Sequence, residues 1–251
     1  MPTDLVVRRG ILRTVIGTLL LSSLVGTSFA APLYRTSTSP DRKVRIGRSV
    51  QGRPLRAFGF GNLSSRRKVL VVGCIHGNEC AGKAIIKRLR NMRPPEDLAL
   101  WVIWSLNPDG ALAGTRQNAR GVDLNRNFGY KWRPIGEPGD TYHSGPRKWS
   151  EPETRAARRF IRNRRPDVTI WYHQALALVV ETGPDRRIKA RYARLVGLPL
   201  VRLAPLPGTA PRWQNHRFPA HASFVVELPG GRVGRRAARR HARAVLAVGR
   251  M

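Results

Sequence analysis

The stretch Val69-Leu70-Val71-Val72-Gly73-Cys74-Ile75-His76-Gly77-Asn78-Glu79 decides how this chain folds. Its first four residues form a continuous apolar run, which is typical of a strand buried on both faces of a sheet. His76 and Glu79 would then lie in the turn at the carboxyl end of that strand, where open α/β sheets place their sites. An imidazole and a carboxylate on one short turn can bind the same Zn²⁺ ion. A surface ion pair or a helix cap explains such a pair equally well, so the stretch alone leaves these interpretations open.

Strand-like and helix-like patterns alternate along the rest of the chain, which predicts one α/β domain. The expected sheet is mixed and mostly parallel, with helices on both faces. A capping box of Ser150 and Glu153 is expected to start one of the helices, Asn107-Pro108-Asp109-Gly110 is a strong turn signal, and residues 111–149 show no periodicity. The predicted strands are two runs within 43–60 and the runs 69–72, 98–104, 168–172, 200–203 and 224–226, and the predicted helices are 81–91, 150–163, 184–196 and 234–248.

The first thirty residues are typical of an export signal. Arg8, Arg9 and Arg13 precede an apolar run that is short for a membrane span, and Ser28-Phe29-Ala30 offers a cleavage site. The pair Arg8-Arg9 also suits the twin-arginine route. We therefore expect a signal peptide over 1–30, a flexible tether over 31–42 and a catalytic domain over 43–251. The processed protein would be extracellular or associated with the cell wall, without stable membrane insertion; an uncleaved N-terminal anchor is the alternative.

The chain carries a formal net charge of +31, which favours anionic surroundings such as cell-wall polymers. A generally arginine-rich composition explains the charge equally well. No nucleic-acid-binding motif is present, so nucleic acid is not an expected partner, and we expect a monomer. The two cysteines, Cys74 and Cys80, flank the His-Gly-Asn-Glu turn and could form a disulfide or remain two buried thiols. Two cysteines are too few for a four-cysteine zinc site.

Three of the predicted strands end in a group that could bind a metal or carry a proton. These groups are His76 with Glu79, His173, and Glu227. Ionisable groups at the ends of apolar strands are costly to bury without a partner. A catalytic zinc site with two histidines, one glutamate and an open position would satisfy them and would leave Glu227 as a base. One Zn²⁺ per chain is therefore expected.

Further motifs extend this pattern into a family resemblance. In their order and spacing they resemble the zinc carboxypeptidases from about residue 45 to residue 229, and the chain is most similar to the bacterial branch that includes murein tripeptide amidases. The motifs are residues 73–79, Asn107-Pro108-Asp109-Gly110, Arg116-Gln117-Asn118, residues 121–128 (GVDLNRNF), Ser150-Glu151-Pro152-Glu153-Thr154, His173 and Val226-Glu227-Leu228-Pro229. The resemblance implies a carboxypeptidase-like fold.

The resemblance also implies a role for each site residue. His76, Glu79 and His173 would bind zinc, and Glu227 would take a proton from the activated water and give it to the leaving amine. The implied roles of the other residues are oxyanion stabilisation by Arg116, binding of the substrate's free carboxylate by Asn125 and Arg126, and orientation of His76 by Asp123.

Two departures from the family pattern concern the substrate. Members that act on peptides carry a tyrosine shortly before the catalytic glutamate, but no tyrosine lies between Tyr192 and Glu227 here; Trp213, His216 or His221 could replace it. No acid lies between residues 186 and 226, where relatives specific for basic side chains keep one. Arg202, Arg212 and Arg217 lie there instead, which favours a substrate side chain with a carboxylate, such as diaminopimelate.

The expected function is therefore an exported zinc peptidase or amidase. It would hydrolyse an amide bond next to a free carboxylate in peptidoglycan-derived, diaminopimelate-containing peptides. One alternative is a metallocarboxypeptidase acting on ordinary peptide C-termini, and another is a non-catalytic cell-wall binding protein. No role is expected for the remaining histidines or for the arginines of the last helix, which would form a solvated face; these residues are His143, His216, His221, His241, Arg235, Arg236, Arg239 and Arg240.

Overall fold

The structure is a computed structural model that describes residues 40–251. The expected signal peptide and residues 31–39 of the expected tether lie outside the described residues. The first strand begins at Arg42, the last residue of that tether. The strands are β1 (Arg42–Arg48), β2 (Pro54–Gly61), β3 (Arg67–Val72), β4 (Leu98–Ile103), β5 (Val168–Val180), β6 (Leu200–Val201) and β7 (Ala222–Pro229). The helices are α1 (Gly82–Arg90), α2 (Pro108–Ala113), α3 (Pro152–Arg164), α4 (Arg186–Val196), α5 (Ala210–Arg217) and α6 (Arg235–Val248), with a 3-10 turn at Leu124–Arg126.

All the strands join one mixed sheet in the order β1-β2-β4-β3-β5-β6, and β7 pairs with β5. The β1–β2 and β2–β4 pairs are antiparallel, whereas β3 is parallel to both β4 and β5. The parallel pairs arise because helices connect their strands and cross over the faces of the sheet. The predicted class, an α/β domain with a mostly parallel sheet, is confirmed.

Alternate residues of the central strands pack into different cores on the two faces of the sheet. Val69 and Val71 belong to the core that includes residues of α1, α4 and α6, whereas Leu70 and Val72 belong to the core that includes residues of α3 and α5. Because side chains alternate along a strand, a strand covered on both faces must be apolar throughout. This requirement explains the continuous apolar run in the sequence.

The strand β5 continues beyond His173, where the sequence predicted its end. Its register pairs Glu227 with both His173 and Leu178, and Val226 with both Tyr172 and Val179. One residue of β7 can have two strand partners only if they lie on its two opposite edges. The chain therefore turns beyond Ala175, next to the end of β7, and returns along the other edge of that strand.

Local differences from the predicted elements have simple causes. The Asn107–Gly110 turn starts the short helix α2, because the Asn107 side chain accepts a hydrogen bond from the Gly110 amide at 2.9 Å. The predicted capping box is wrong: α3 has Glu151 at its N-cap and no side-chain cap bond, since Glu153 accepts a bond from the Val50 amide instead. The helix α5 was not predicted. Within residues 40–251, no helix is both long and apolar enough to cross a membrane.

Candidate active site

The turn that follows β3 brings His76 and Glu79 together. Their side chains are 1 % and 11 % exposed, and His76 Nδ1 lies 2.9 Å from Glu79 Oε2. Cys74 and Cys80 form a disulfide across this turn, with Cα atoms 4.6 Å apart, which answers the question the sequence left open. Gly77 packs against the start of α2 so closely that a Cβ there would lie 2.0 Å from the Gly110 carbonyl carbon. The disulfide and this contact fix the turn on both sides.

The register of β5 and β7 places His173 beside Glu227. These two residues are partners in the parallel pair, at the same edge of the sheet as the turn after β3. His173 Nδ1 lies 3.0 Å from Glu79 Oε2, and the rings of His76 and His173 have centroids 4.6 Å apart. The structure therefore brings together the groups that the sequence placed at the ends of separate strands.

The arrangement of ligand atoms fits a bound cation. One candidate ligand atom from each of His76, Glu79 and His173 lies within 4.8 Å of the others. His76 Nε2 lies 2.9 Å from the buried carboxylate of Asp123, so we assign the ring proton to this nitrogen. Nδ1 then faces Glu79 Oε2 at 2.9 Å, and two electronegative atoms at this distance need a positive charge between them, which a second proton on the imidazole or a bound cation supplies. Two imidazoles and a carboxylate are a common ligand set of catalytic zinc.

Asp123 links the candidate metal ligands to the arginines. Its carboxylate is fully buried, and besides His76 it contacts Arg116, whose Nε lies 3.1 Å from Oδ2, and the Asn125 amide at 2.8 Å. Burial alone would raise the pKa of Asp123, but the charge of His76 and its hydrogen bond outweigh burial and hold this pKa well below its usual range. Asp123 is therefore held as an anion, and it orients His76.

Arg116, Asn125 and Arg126 line the same cavity as the candidate metal ligands. Arg116 Nη1 also donates to Glu79 Oε1 at 2.5 Å. Asn125 Oδ1 accepts a hydrogen bond from the Ala210 amide at 2.9 Å, which leaves the side-chain NH₂ free to donate into the cavity. These groups supply the positive charge and the donors that a substrate carboxylate requires.

Glu227 lines the cavity with one side-chain oxygen unpaired. Its Oε2 atom is buried and has no hydrogen-bond partner among the described residues. Burial, and then the negative charge of Glu79, raise the pKa of Glu227 to about 7. A carboxylate with a pKa near neutrality, next to a candidate metal site, is suited to accept and return a proton.

The cavity has a volume of about 750 Å³ and extends from the candidate metal ligands to Arg202 and Arg212. The expectation of cationic residues there is confirmed for these two, whereas Arg217 is not among the lining residues and lies over the Phe218 ring. Glu181 also lines the cavity, although it was not predicted as a site residue. Arg202 donates to this carboxylate at 2.7 Å.

A signal for Glu181 was nevertheless present. Val179-Val180-Glu181 is followed by a Gly-Pro turn, as Val225-Val226-Glu227 is followed by a Pro-Gly turn. The pattern of an acid at the end of an apolar run, which predicts Glu227 as a site residue, therefore also occurs at Glu181. The reversal of β5, which carries Glu181 to the cavity, was not visible in the sequence.

Aromatic residues of the long loop between α2 and α3 (residues 114–151) also reach the cavity. Tyr142 lies over the guanidinium groups of Arg116 and Arg126, at 5.2 and 5.3 Å from its ring centroid. Tyr130 stacks on His216 with ring centroids 4.2 Å apart, and both residues line the cavity. Trp213, another suggested replacement for the family tyrosine, is buried in the core.

His221 is not among the cavity residues either. Its Nδ1 lies 2.9 Å from the Pro166 carbonyl oxygen, so this histidine does not supply a hydrogen bond to the site. Of the suggested replacements for the family tyrosine, only His216 lines the cavity. Tyr130 and Tyr142, which were not predicted there, line it as well.

The fold and the site together define a metallopeptidase of the carboxypeptidase type. Residues 35–186 match the zinc carboxypeptidase (peptidase M14) family, and the chain belongs to this family. The family is zinc-dependent, and its members are hydrolases.

The chain is similar to murein peptide amidases over most of its length and to other carboxypeptidases over about half of it. The chain is 33 % identical over 222 residues to murein peptide amidase A of Vibrio campbellii, an alignment that covers 82 % of this chain and 85 % of the relative. The crystal structure of a murein-tripeptide amidase from Escherichia coli O157 superposes with a TM-score of 0.69 at 28 % identity, covering 86 % of this chain and 96 % of that one. The catalytic chain of mouse carboxypeptidase N is 33 % identical over 172 residues, which cover 52 % of this chain and 38 % of the relative.

Proposed function

We propose that this protein is an exported zinc-dependent amidase that acts on peptidoglycan-derived peptides containing diaminopimelate. It would hydrolyse an amide bond next to a free carboxylate, with Glu227 as the base. The observation that carries the proposal is the convergence of His76, Glu79 and His173 beside Glu227 at one end of the cavity. The match to murein peptide amidases over most of the chain supports the substrate class.

The ligand set defines what a metal would contribute. Zn²⁺ held by His76, Glu79 and His173 would supply a Lewis acid that polarises a carbonyl and lowers the pKa of water to about 7. The residues of the chain provide the remaining functions. Asp123 accepts a hydrogen bond from His76 Nε2–H, which keeps the other ring nitrogen available as a ligand.

For each step of the hydrolysis, a residue that lines the cavity can provide the required group. Arg126 and the Asn125 NH₂ group bind the free carboxylate, which fixes the position of the neighbouring amide bond. Glu227 removes a proton from the attacking water as the carbon–oxygen bond forms, and Arg116 donates to the developing oxyanion. Glu227 then gives the proton to the amide nitrogen as the carbon–nitrogen bond breaks, which releases a neutral amine and regenerates the carboxylate.

The proposal is tested with zinc-loaded protein on a γ-D-glutamyl-diaminopimelate peptide. Wild-type protein should cleave it, and a chelator should stop the reaction. Glu227→Gln keeps the shape of the side chain but removes the base, so kcat should fall at least about a hundredfold. Glu96→Gln, which changes an exposed acid outside the cavity, is the matched control.

Two measurements make the result decisive. Zinc content and thermal unfolding should be the same in both variants, because neither residue is a proposed ligand. Turnover by Glu227→Gln at a rate close to that of wild type would contradict the mechanism. Export is tested on the same protein by mass spectrometry of the material outside the cell, which should begin at about Ala31.

A carboxypeptidase for ordinary peptides is a second candidate. The observation in its favour is Glu181, because an acid in the cavity could bind the C-terminal Lys or Arg of a peptide. The similarity to carboxypeptidase N over about half of the chain is consistent with it. A panel of peptides that differ in their C-terminal residue distinguishes the two functions, because the amidase should prefer the diaminopimelate peptide to all of them.

A further inference from the structure

Glu181 has no part in the proposed mechanism, yet it lines the cavity. The other acids among the residues that line it are Glu79, a candidate metal ligand, and Glu227, the candidate base. Glu181 follows the returning segment of β5, and its side chain is 14 % exposed. The negative charge of Glu181 would repel the carboxylate of the proposed substrate in the same cavity, so its presence there requires an explanation.

The contacts of Glu181 show what it can still bind. Its Oε1 accepts from Arg202 Nη2 at 2.7 Å, and its Oε2 accepts from Arg186 Nε at 3.1 Å. An ionised carboxylate can accept about four hydrogen bonds, so each oxygen keeps a free position. Arg202 is 80 % exposed and uses one of its five N–H donors on Glu181. The negatively charged acceptors of Glu181 and the positively charged donors of Arg202 therefore lie next to each other in the cavity.

A side chain with a single charge does not complement this pair. Arg186, the other partner of Glu181, is 68 % exposed and is not among the lining residues. Within the cavity, a carboxylate beside Arg202 would therefore be close to the negative charge of Glu181, and an ammonium beside Glu181 would be close to Arg202. A group that carries both charges avoids the repulsion, because each of its ends meets the opposite charge and each contact is a charge-assisted hydrogen bond.

We propose that Glu181 and Arg202 together bind the end of a substrate side chain that carries both an ammonium and a carboxylate group. Glu181 binds the ammonium and Arg202 binds the carboxylate. The inference rests on the proposed function, which places the substrate in this cavity. It makes Glu181 a specificity-determining residue that selects against side chains with only one of the two charges.

The experiment uses three γ-D-glutamyl substrates with the same scissile bond. Their C-terminal residues are diaminopimelate, which carries both groups, 2-aminopimelate, which has only the carboxylate, and lysine, which has only the ammonium. For wild-type protein, kcat/KM should be at least about tenfold higher for the first than for either of the others, as expected for one hydrogen bond to a charged group.

Each variant should abolish one of the two kcat/KM ratios that define this preference. Glu181→Gln should bring the ratio of diaminopimelate to 2-aminopimelate close to one, and Arg202→Gln should do the same for the ratio of diaminopimelate to lysine. Glu96→Gln removes an exposed acid and should leave both ratios unchanged. A role of Glu181 in stability alone predicts an equal loss on all three substrates, and that result would overturn the proposal, as would unchanged ratios.

A binding measurement separates this inference from the proposed function. Calorimetry with the free amino acids on the Glu227→Gln protein should give the same order, with diaminopimelate bound about tenfold more tightly than 2-aminopimelate. If no peptide is cleaved but this order holds, the proposed reaction fails and the assignment of Glu181 stands. Equal affinities for the three amino acids refute the assignment, whatever the enzyme cleaves.

Discussion

Replacing Asp123 with asparagine should weaken both the fold and the metal site. The change keeps the size of the side chain but removes a negative charge that is fully buried. If the amide oxygen keeps the bonds to His76 and to the Asn125 amide, the new NH₂ group faces the guanidinium of Arg116, which is itself a donor. Arg126 Nη1, which lies 3.9 Å from Oδ2, loses its partner charge as well.

The contacts of Asp123 set the size of the effect. Removing one partner of a buried ion pair costs about 3–5 kcal/mol. Arg116 keeps its second partner, Glu79, and its side chain is 17 % exposed, so the lower end of this range applies. A loss of about 3 kcal/mol in a domain of this size corresponds to a Tm lower by about 6–12 °C. Zinc affinity should fall about 10–100-fold, because His76 loses the anion that orients it.

Urea unfolding of the metal-free protein measures the stability, and competition with a chelating dye measures the zinc affinity. Asp97→Asn is the matched control, because its pairs with Arg67 and Arg250 are solvent-exposed and should contribute less than about 1 kcal/mol. The reasoning is refuted if Asp123→Asn loses no more stability than Asp97→Asn and keeps its zinc affinity within about twofold.

Two further predictions concern the ligand turn and a buried histidine. Gly77→Ala should lower both Tm and zinc content, because its Cβ would lie 2.0 Å from the Gly110 carbonyl carbon. Gly234→Ala is the control, because a Cβ there meets nothing within 4 Å and should change neither quantity. Equal behaviour of the two variants would rule out this packing. Burial, and then the charge of Arg240, lower the pKa of His241 from 6.5 to about 4. The unfolded chain therefore binds the proton first, and stability should fall by up to about 3 kcal/mol as the pH drops from about 6.5 to about 4. Urea unfolding across this range should show a smaller slope for His241→Gln, and an unchanged slope would contradict the assignment.

The sequence determined most of the architecture because apolar runs and helical periodicity are local signals. The run Val69–Val72 is continuous because both faces of the sheet are covered, so it predicts a buried strand without knowledge of its neighbours. The proposed ligands and base could be chosen for a related reason. His76, Glu79 and Glu227 are ionisable groups at the ends of apolar strands, where they are costly without a common partner.

Only the tertiary structure decided what shares the cavity with these groups. The register of β5 and β7 sets His173 against Glu227, and the reversal of β5 carries Glu181 to the same cavity as Arg202. The position of Tyr142 over Arg116 depends on the path of a loop that has no periodic signal. Strand register and loop paths are set by packing between segments far apart in the chain. Local sequence therefore predicted the type of site, whereas the fold determined which charged groups line the cavity.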